Sequence, residues 1–269
     1  MITLALAQLD LTGSVQENMD KTALMLKKAQ ASGASLALLP ELFPFSWFPV
    51  TEDSQFFSWA QSPTSDILIQ ARDWARQYRV TLVFPTYELA GTERFNTTFV
   101  ISPNGDVLGH YRKNHIPYHP GWYEKFYYQP GNSGWPVFYH QGMTFGVQTC
   151  WDNLFPEGSR ILGLKGVHLI LAPRGTGDYS RPRWRTQLAA NALANQCFVA
   201  STNRVGLEGT YRFGGDSFVV DPNGTITSAS PNTEELLVVP LKLNLVYESR
   251  REWPFWQDRR PELYRALGE

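Results

Sequence analysis

Cysteine is scarce, and two thiols in 269 residues cannot build the disulfide framework of a small secreted scaffold. Charge is sparse as well. Asp, Glu, Lys and Arg make up 18% of the chain, against about 25% in ordinary domains. The 24 basic residues nearly cancel the 25 acidic ones, for a net charge of −1. The basic excess that phosphate neutralisation requires is missing, so nucleic acid is excluded as the expected partner. No apolar run approaches the roughly 20 residues of a membrane span. The opening MITLALAQLDL has neither a basic stretch nor a small-residue cleavage site. These absences point to a reducing, cytoplasmic setting with no membrane partner. No glycine-rich loop follows a strand with a nucleotide fingerprint, so no cofactor is expected.

What the chain has is apolar bulk. Hydrophobic residues make up 43%, with 16 Phe, 12 Tyr and 9 Trp, enough for a large core and too much for disorder. So little charge over so much apolar surface leads to the expectation of a homodimer or larger homo-oligomer.

Ile2 to Leu9 is apolar and short enough for a buried strand, and Asn18 to Gly33 carries Met19, Leu24, Leu26 and a closing glycine, as a helix would. Ser35 to Leu39 is a second strand stopped by Pro40, and the helical stretch Asp66 to Tyr78 leads into the strand Val80 to Pro85. This alternation is that of an α/β protein. The pattern then changes, because Arg94 to Ser102 and Asp106 to Arg112 flank Pro103-Asn104-Gly105, a turn that makes an antiparallel hairpin. Phe218-Val219-Val220-Asp221-Pro222-Asn223-Gly224 repeats Phe99-Val100-Ile101-Ser102-Pro103-Asn104-Gly105, which implies two related halves. Between them fall the strands Met143 to Thr149, Val167 to Ala172 and Phe198 to Thr202, and the helices Pro156 to Lys165 and Trp184 to Gln196. No linker interrupts the order, so residues 1–269 are expected to form one domain. Apolar strands in both halves need cover on both faces, and a four-layer α-β-β-α sandwich provides it. The tail, about 243–269, is rich in Arg, Trp, Phe and Pro and is expected to lie at a subunit interface.

Three polar residues sit just beyond apolar runs, where α/β sheets assemble sites: Glu41 after LALLP, Lys113 after VLGHYR and Cys150 after TFGVQT. Alone, each has an ordinary reading as a solvated charge or a small buried hydrophobe. Together they supply what breaking an amide carbon–nitrogen bond requires: a nucleophile, a proton carrier and a cation for the oxyanion. Cys150 precedes a helix that starts at Pro156, a position that favours the thiolate. Cys197, within ANQCFV, has no polar company and reads as core.

At this point the chain resembles the nitrilase superfamily. The matching stretches are Leu39-Pro40-Glu41-Leu42, Tyr111-Arg112-Lys113-Asn114-His115-Ile116-Pro117, and Cys150-Trp151-Asp152-Asn153-Leu154-Phe155-Pro156-Glu157. Asn203-Arg204-Val205-Gly206 and Asp258-Arg259-Arg260-Pro261-Glu262-Leu263-Tyr264 extend the likeness over almost the whole chain. Pro120-Gly121-Trp122-Tyr123-Glu124-Lys125-Phe126-Tyr127 makes it most similar to the N-carbamoyl amidohydrolases. The resemblance implies that Glu41 takes the thiol proton, Cys150 attacks, Lys113 stabilises the tetrahedral intermediate and Glu124 supports them. Ammonia would leave first, and Glu41 would then activate water against the thioester.

The substrate is expected to be a small molecule. The Trp151 amide, directly after the nucleophile, is placed to serve the oxyanion, and Trp122 and Tyr123 are candidates for the pocket wall with Trp47, Phe48, Tyr127 and Trp184. One stretch departs from the members acting on a cationic polyamine, which usually carry small or apolar residues after the proline, whereas this chain has Ala172-Pro173-Arg174-Gly175-Thr176-Gly177. An arginine there would bind a substrate carboxylate in a bidentate contact, or else pair with a structural acid such as Asp178 or Asp216. His110, His115 and His119 cluster in sequence, but Pro117 and Pro120 keep them off one helical face, and no metal site is expected. A Cys150–His115 pair would leave Glu41 and Lys113 idle. Nitrile hydrolysis, or a catalytically silent protein of the same fold, are the remaining alternatives.

Overall fold

The apolar segments pair into two six-stranded sheets in the computed structural model, which describes residues 2–268. Strand β1 (Ile2–Gln8) leads to helix α1 (Val15–Ala31). The helix starts ahead of the expected Asn18 because Ser14 and Glu17 cap it reciprocally. The Glu17 amide donates to Ser14 Oγ at 3.3 Å, and Glu17 Oε2 accepts from the Ser14 amide at 2.8 Å. β2 (Leu36–Leu38) lies parallel to β1, α2 (Asp66–Tyr78) covers its expected residues, and β3 (Thr81–Ala90) runs parallel to β2. β3 continues through Pro85, since β2 pairs only as far as Val83 and the missing proline N–H faces past its end. β4 (Glu93–Ile101) and β5 (Val107–Arg112) form the expected antiparallel hairpin, with Gly105 of its turn at φ +80°.

The second sheet begins with β6 (Phe138–His140) and β7 (Met143–Val147). Then come α3 (Pro156–Leu164), β8 (Leu169–Pro173), α4 (Arg181–Asn195) and β9 (Phe198–Thr202). β10 (Val205–Glu208) and β11 (Tyr211–Gly214) form a separate hairpin, after which β12 (Phe218–Val220) and β13 (Ile226–Ser228) complete the sheet. β14 (Glu235–Leu241) returns to the first sheet, antiparallel to β1, and α5 (Asn244–Glu252) follows. The sheet orders are β14-β1-β2-β3-β4-β5 and β13-β12-β9-β8-β7-β6.

Both faces of the central strands are apolar, and each face has its own cover. Leu36 and Leu38 join Leu169 and Leu171 between the sheets. Ala37 turns toward α1 and α2, and Ile170 toward α3 and α4. Each fully buried leucine contributes roughly 1.5–3 kcal/mol, so the alternation fixes register and layer together. The result is the four-layer α-β-β-α sandwich.

The two halves share one plan. β1, β2 and β3 are parallel, β4 is antiparallel to β3 and β5 antiparallel to β4, and β7, β8, β9, β12 and β13 repeat this arrangement. The repeat reaches the strand ends, where Leu36-Ala37-Leu38-Leu39-Pro40-Glu41 matches Leu169-Ile170-Leu171-Ala172-Pro173-Arg174. The start of the tail packs on the rest of the chain. Gln196 Nε2 donates to the Ser249 and Trp253 carbonyls at 2.8 and 2.9 Å, and the Arg160 guanidinium sits 4.6 Å from the Trp256 ring. Among the described residues no helix is long and apolar enough to cross a membrane.

Candidate active site

Four remote segments end at one place. Glu41 lies just past β2, Lys113 directly follows β5, Glu124 opens a 3₁₀ turn (Glu124–Phe126), and Cys150 opens another (Cys150–Leu154) just past β7. Glu41, Lys113 and Glu124 are 0% exposed and Cys150 is 2% exposed. Charged groups this deep need partners. Lys113 Nζ donates to Glu41 Oε1 at 2.8 Å and to Glu124 Oε2 at 2.7 Å. Glu41 accepts two further bonds at 2.8 Å, from Asn96 Nδ2 on β4 and from the Gly175 amide beyond β8. Gly175 has to be glycine, because a Cβ there would stand 2.4 Å from the Trp47 ring. Arg204 braces the turn after Glu41 from below, donating to the Glu41 and Phe45 carbonyls at 3.1 and 2.9 Å while pairing with Glu208.

The electrostatics follow from one cation among several acids. Burial on its own would depress the Lys113 ammonium, but Glu124 and then Glu41 hold it above the ordinary lysine value. Burial pushes the Glu124 carboxyl up to about 7, Lys113 opposing and Glu41 adding to the rise. Burial also holds the Cys150 thiol well above its usual range. Glu41 and Glu124 add to that rise, while Lys113 and the Gly175 amide oppose it. The resting arrangement is therefore a neutral thiol beside a permanently charged ammonium.

Cys150 itself takes φ +46°, the left-handed region that an ordinary side chain enters at a cost of roughly 1–3 kcal/mol. Its surroundings hold it there. Asn153 Nδ2 donates to the Gln148 and Cys150 carbonyls at 2.9 and 3.0 Å. Asp152 is clamped by the Tyr111 hydroxyl at 2.6 Å, the Thr149 amide at 3.1 Å and the His115 amide at 2.9 Å. His115 Nδ1 also faces Asp152 Oδ1 at 2.8 Å, so this histidine positions the turn. His110 packs on Phe99, and His119 stands apart between Trp122 and Trp151.

Cys150 opens into a cavity of about 570 Å³. His119, Trp122, Trp151 and Leu154 line it together with Thr176, Gly177, Tyr179, Ser180, Pro182, Arg183 and Trp184. Of the aromatic candidates, Trp122, Trp151 and Trp184 reach this cavity. Trp47 packs behind Trp122, while Phe48 and Tyr127 pack on each other. Tyr123 is a correction: its ring packs edge-on against Tyr118 at 5.6 Å, away from the cavity wall.

Arg174 is a second correction. It is 1% exposed, and its guanidinium is turned into the protein. Nε donates to Ser201 Oγ at 2.8 Å, Nη1 to Thr176 Oγ1, and Nη2 to the Asp216 and Gly215 carbonyls at 2.6 and 3.3 Å. Four of its five N–H donors are spent on the protein, and Arg174 is not among the residues that line the cavity. Asp216 pairs instead with Arg185. The supporting residues Asn96, Asn153 and Arg204 had only a weak signal in the sequence, a polar residue inside an otherwise apolar strand or turn.

The profile of the carbon-nitrogen hydrolase family matches residues 3–251. The chain is 32% identical over 286 residues to an N-carbamoylputrescine amidase of Oryza sativa subsp. japonica, covering 99% of this chain and 94% of that one. It is 32% identical over 276 residues to a citrullinase of Francisella tularensis subsp. tularensis, covering 98% and 96%. In three dimensions it is similar to a carbon-nitrogen hydrolase from Helicobacter pylori G27, with a TM-score of 0.95 at 31% identity, over 100% of this chain and 98% of that one.

Proposed function

This chain belongs to the carbon-nitrogen hydrolase family, and on that premise we propose that Cys150, Glu41, Lys113 and Glu124 hydrolyse the carbon–nitrogen bond of a small N-carbamoyl compound or amide. The observation that carries the reading is the single ammonium 2.8 Å from Glu41 and 2.7 Å from Glu124, beside a buried thiol that opens a cavity. The charge pattern assigns the roles. Lys113 is held protonated by two carboxylates, so it is the electrostatic partner of the oxyanion and not the base. The thiol is held neutral, so its proton leaves as the sulfur attacks, and Glu41 is the acceptor.

Sγ bonds to the carbonyl carbon, and the oxyanion forms against Lys113 and the Trp151 amide. Glu41 passes the thiol proton to the departing nitrogen, the carbon–nitrogen bond breaks, and ammonia leaves an S-acyl or S-carbamoyl enzyme. Water then gives a proton to Glu41 and its oxygen to the same carbon, and the proton returns to sulfur as the carbon–sulfur bond breaks. A ureido substrate yields a carbamic acid, which loses carbon dioxide to give the free amine. Glu124 keeps Lys113 charged and placed without touching the substrate. Trp122 and Trp151 form the apolar wall that receives it.

The substrates named for the two relatives differ, and at equal identity neither is preferred. Ammonia release from a ureido compound, a simple amide and a nitrile, with the parent and with Cys150→Ala, tests the reading. Release from the first two, lost in the variant together with labelling of Cys150 by iodoacetamide, is the expected result. Release from the nitrile alone, or release that survives Cys150→Ala, overturns it.

We further propose one hydrolase domain over 1–269, a cytoplasmic location and a homodimer or higher homo-oligomer. Both free thiols are buried, which suits a reducing compartment. For the oligomer, support comes from a groove of about 650 Å³ where exposed Ile161 and Leu164 of α3 meet Phe255 and Leu267 of the tail.

A further inference from the structure

Cys150 fixes the reactive end of the cavity, and the start of α4, where three arginines stand on alternate residues, lines the same space. Two of them are committed to the protein. Arg181 Nη2 donates to Asn232 Oδ1 at 2.6 Å, and Arg185 Nε donates to Asp216 Oδ2 at 2.8 Å. Arg183 differs from both. It is exposed at the cavity rim, lines the same space as Cys150, and its side chain makes no hydrogen bond or ion pair among the described residues.

The acids near the site do not reach this wall. Glu124 faces Lys113, Asp152 is spent on Tyr111, Thr149 and His115, and the Asp178 Cβ points at Gly214. No carboxylate is among the residues that line the cavity. A substrate ending in an ammonium would meet a guanidinium and the positive end of a 15-residue helix. A substrate ending in a carboxylate would find both favourable, and the planar fork of Arg183 matches its two oxygens. A space of 570 Å³ is about 10 Å across if taken as a sphere, enough for a ureido or amide group at one end and a carboxylate a few carbons away.

We propose that Arg183 sets the substrate class: the group remote from the scissile carbon is a carboxylate, received by this guanidinium at the cavity rim. The inference rests on the hydrolase reading and adds the specificity residue that Arg174, enclosed in the protein, does not supply.

Three probes of equal reach test it: N-carbamoyl-4-aminobutyrate (anionic), N-butylurea (neutral) and N-carbamoylputrescine (cationic). Two readouts are taken, kcat/KM for ammonia release, and calorimetric binding to Cys150→Ala with and without Arg183→Gln. The parent is expected to favour the anion over the cation. Arg183→Gln is expected to lower the anion-to-neutral ratio about tenfold, mainly through KM, and Arg183→Glu to move the preference toward the cation. An unchanged ratio in Arg183→Gln overturns the inference, and so does a parent that favours the cation or binding to Cys150→Ala that ignores ligand charge. Charge-dependent binding without ammonia from any probe would defeat the hydrolase reading for ureido substrates and leave Arg183 in its role. Equal turnover of all three, unmoved by Arg183→Gln, would do the reverse.

Discussion

Lys113→Met keeps the length of the side chain and removes its charge, leaving Glu41 and Glu124 enclosed without the ammonium they share. Removing one member of a buried pair costs about 3–5 kcal/mol, and here one cation serves two carboxylates, at 2.8 and 2.7 Å. The remaining acids can recover part of that only by taking up protons. The folded pKa of Glu124, raised already in the parent, then stands further above the unfolded carboxylate value of about 4.3. A carboxyl raised in the folded state makes the protein lose stability as pH rises from the unfolded value through the folded one. Glu124 already sits at about 7 with lysine present, so its additional loss falls above neutrality. The deficit relative to the parent should therefore reach about 3–5 kcal/mol at pH 8.5. It should shrink toward pH 5.5, by about 1.4 kcal/mol for each pH unit over which one further proton is held. Lys113→Met/Glu124→Gln, which removes the surplus acid, should be more stable than the single variant at pH 8.5. Urea unfolding followed by tryptophan fluorescence at both pH values measures this, alongside ammonia release, which both variants should lose. A deficit that stays flat between the two pH values, or a double variant no more stable than the single one, would refute the idea of a shared cation.

Cys150→Ala and Glu41→Gln should each reduce ammonia release by about a thousandfold or more with the fold intact, and the double variant should fall little further, because the residues act as a unit; additive losses in kcat would count against the assignment. Arg174→Ala should lose about 3–5 kcal/mol of stability, measured by thermal or urea unfolding, since it takes the donor from Ser201 Oγ, Thr176 Oγ1 and the Asp216 carbonyl, all buried. A normally stable Arg174→Ala with raised KM for the anionic probe would return this arginine to the pocket. Light scattering at micromolar concentration should give a mass of at least twice 30.6 kDa, and Leu164→Glu in the α3 groove should lower it; a clean monomer of the parent would end the oligomer proposal.

Much of the fold was legible where local signals agree with the tertiary outcome. The Pro103-Asn104-Gly105 turn dictates its hairpin whatever surrounds it, and Ser65 with the apolar spacing of Asp66–Tyr78 delimits α2. β14 was not legible. Pro240 argues against a strand, and only the partner β1, 227 to 239 positions earlier, gives Glu235–Leu241 a ladder. β10 and β11 are a hairpin of four residues a side that joins neither large sheet, with too short a pattern to read. In the site, Glu41, Lys113 and Cys150 stood out because polar side chains at the ends of apolar strands are rare. Glu124 entered through resemblance alone, and it shares the Lys113 ammonium with Glu41. Arg174 misled because sequence gives proximity to a site without direction. Its backbone leads into the cavity wall at Thr176, while its side chain turns back onto Ser201 and the Gly215–Asp216 backbone.

Seven of the twelve residues around the cavity lie within one stretch, Thr176 to Trp184, whereas Glu41, Lys113, Glu124 and Cys150 come from four other parts of the chain. Mutation can therefore rewrite what is recognised without disturbing how the bond is cut. On the proposed reading that stretch is a recognition segment, held at one end by the bonds of Arg174 and at the other by the pairing of Arg185 with Asp216. Grafting the corresponding segment of a relative between those two anchors should transfer preference as a unit, and a lineage that drifts there can acquire a new diet while keeping its old chemistry.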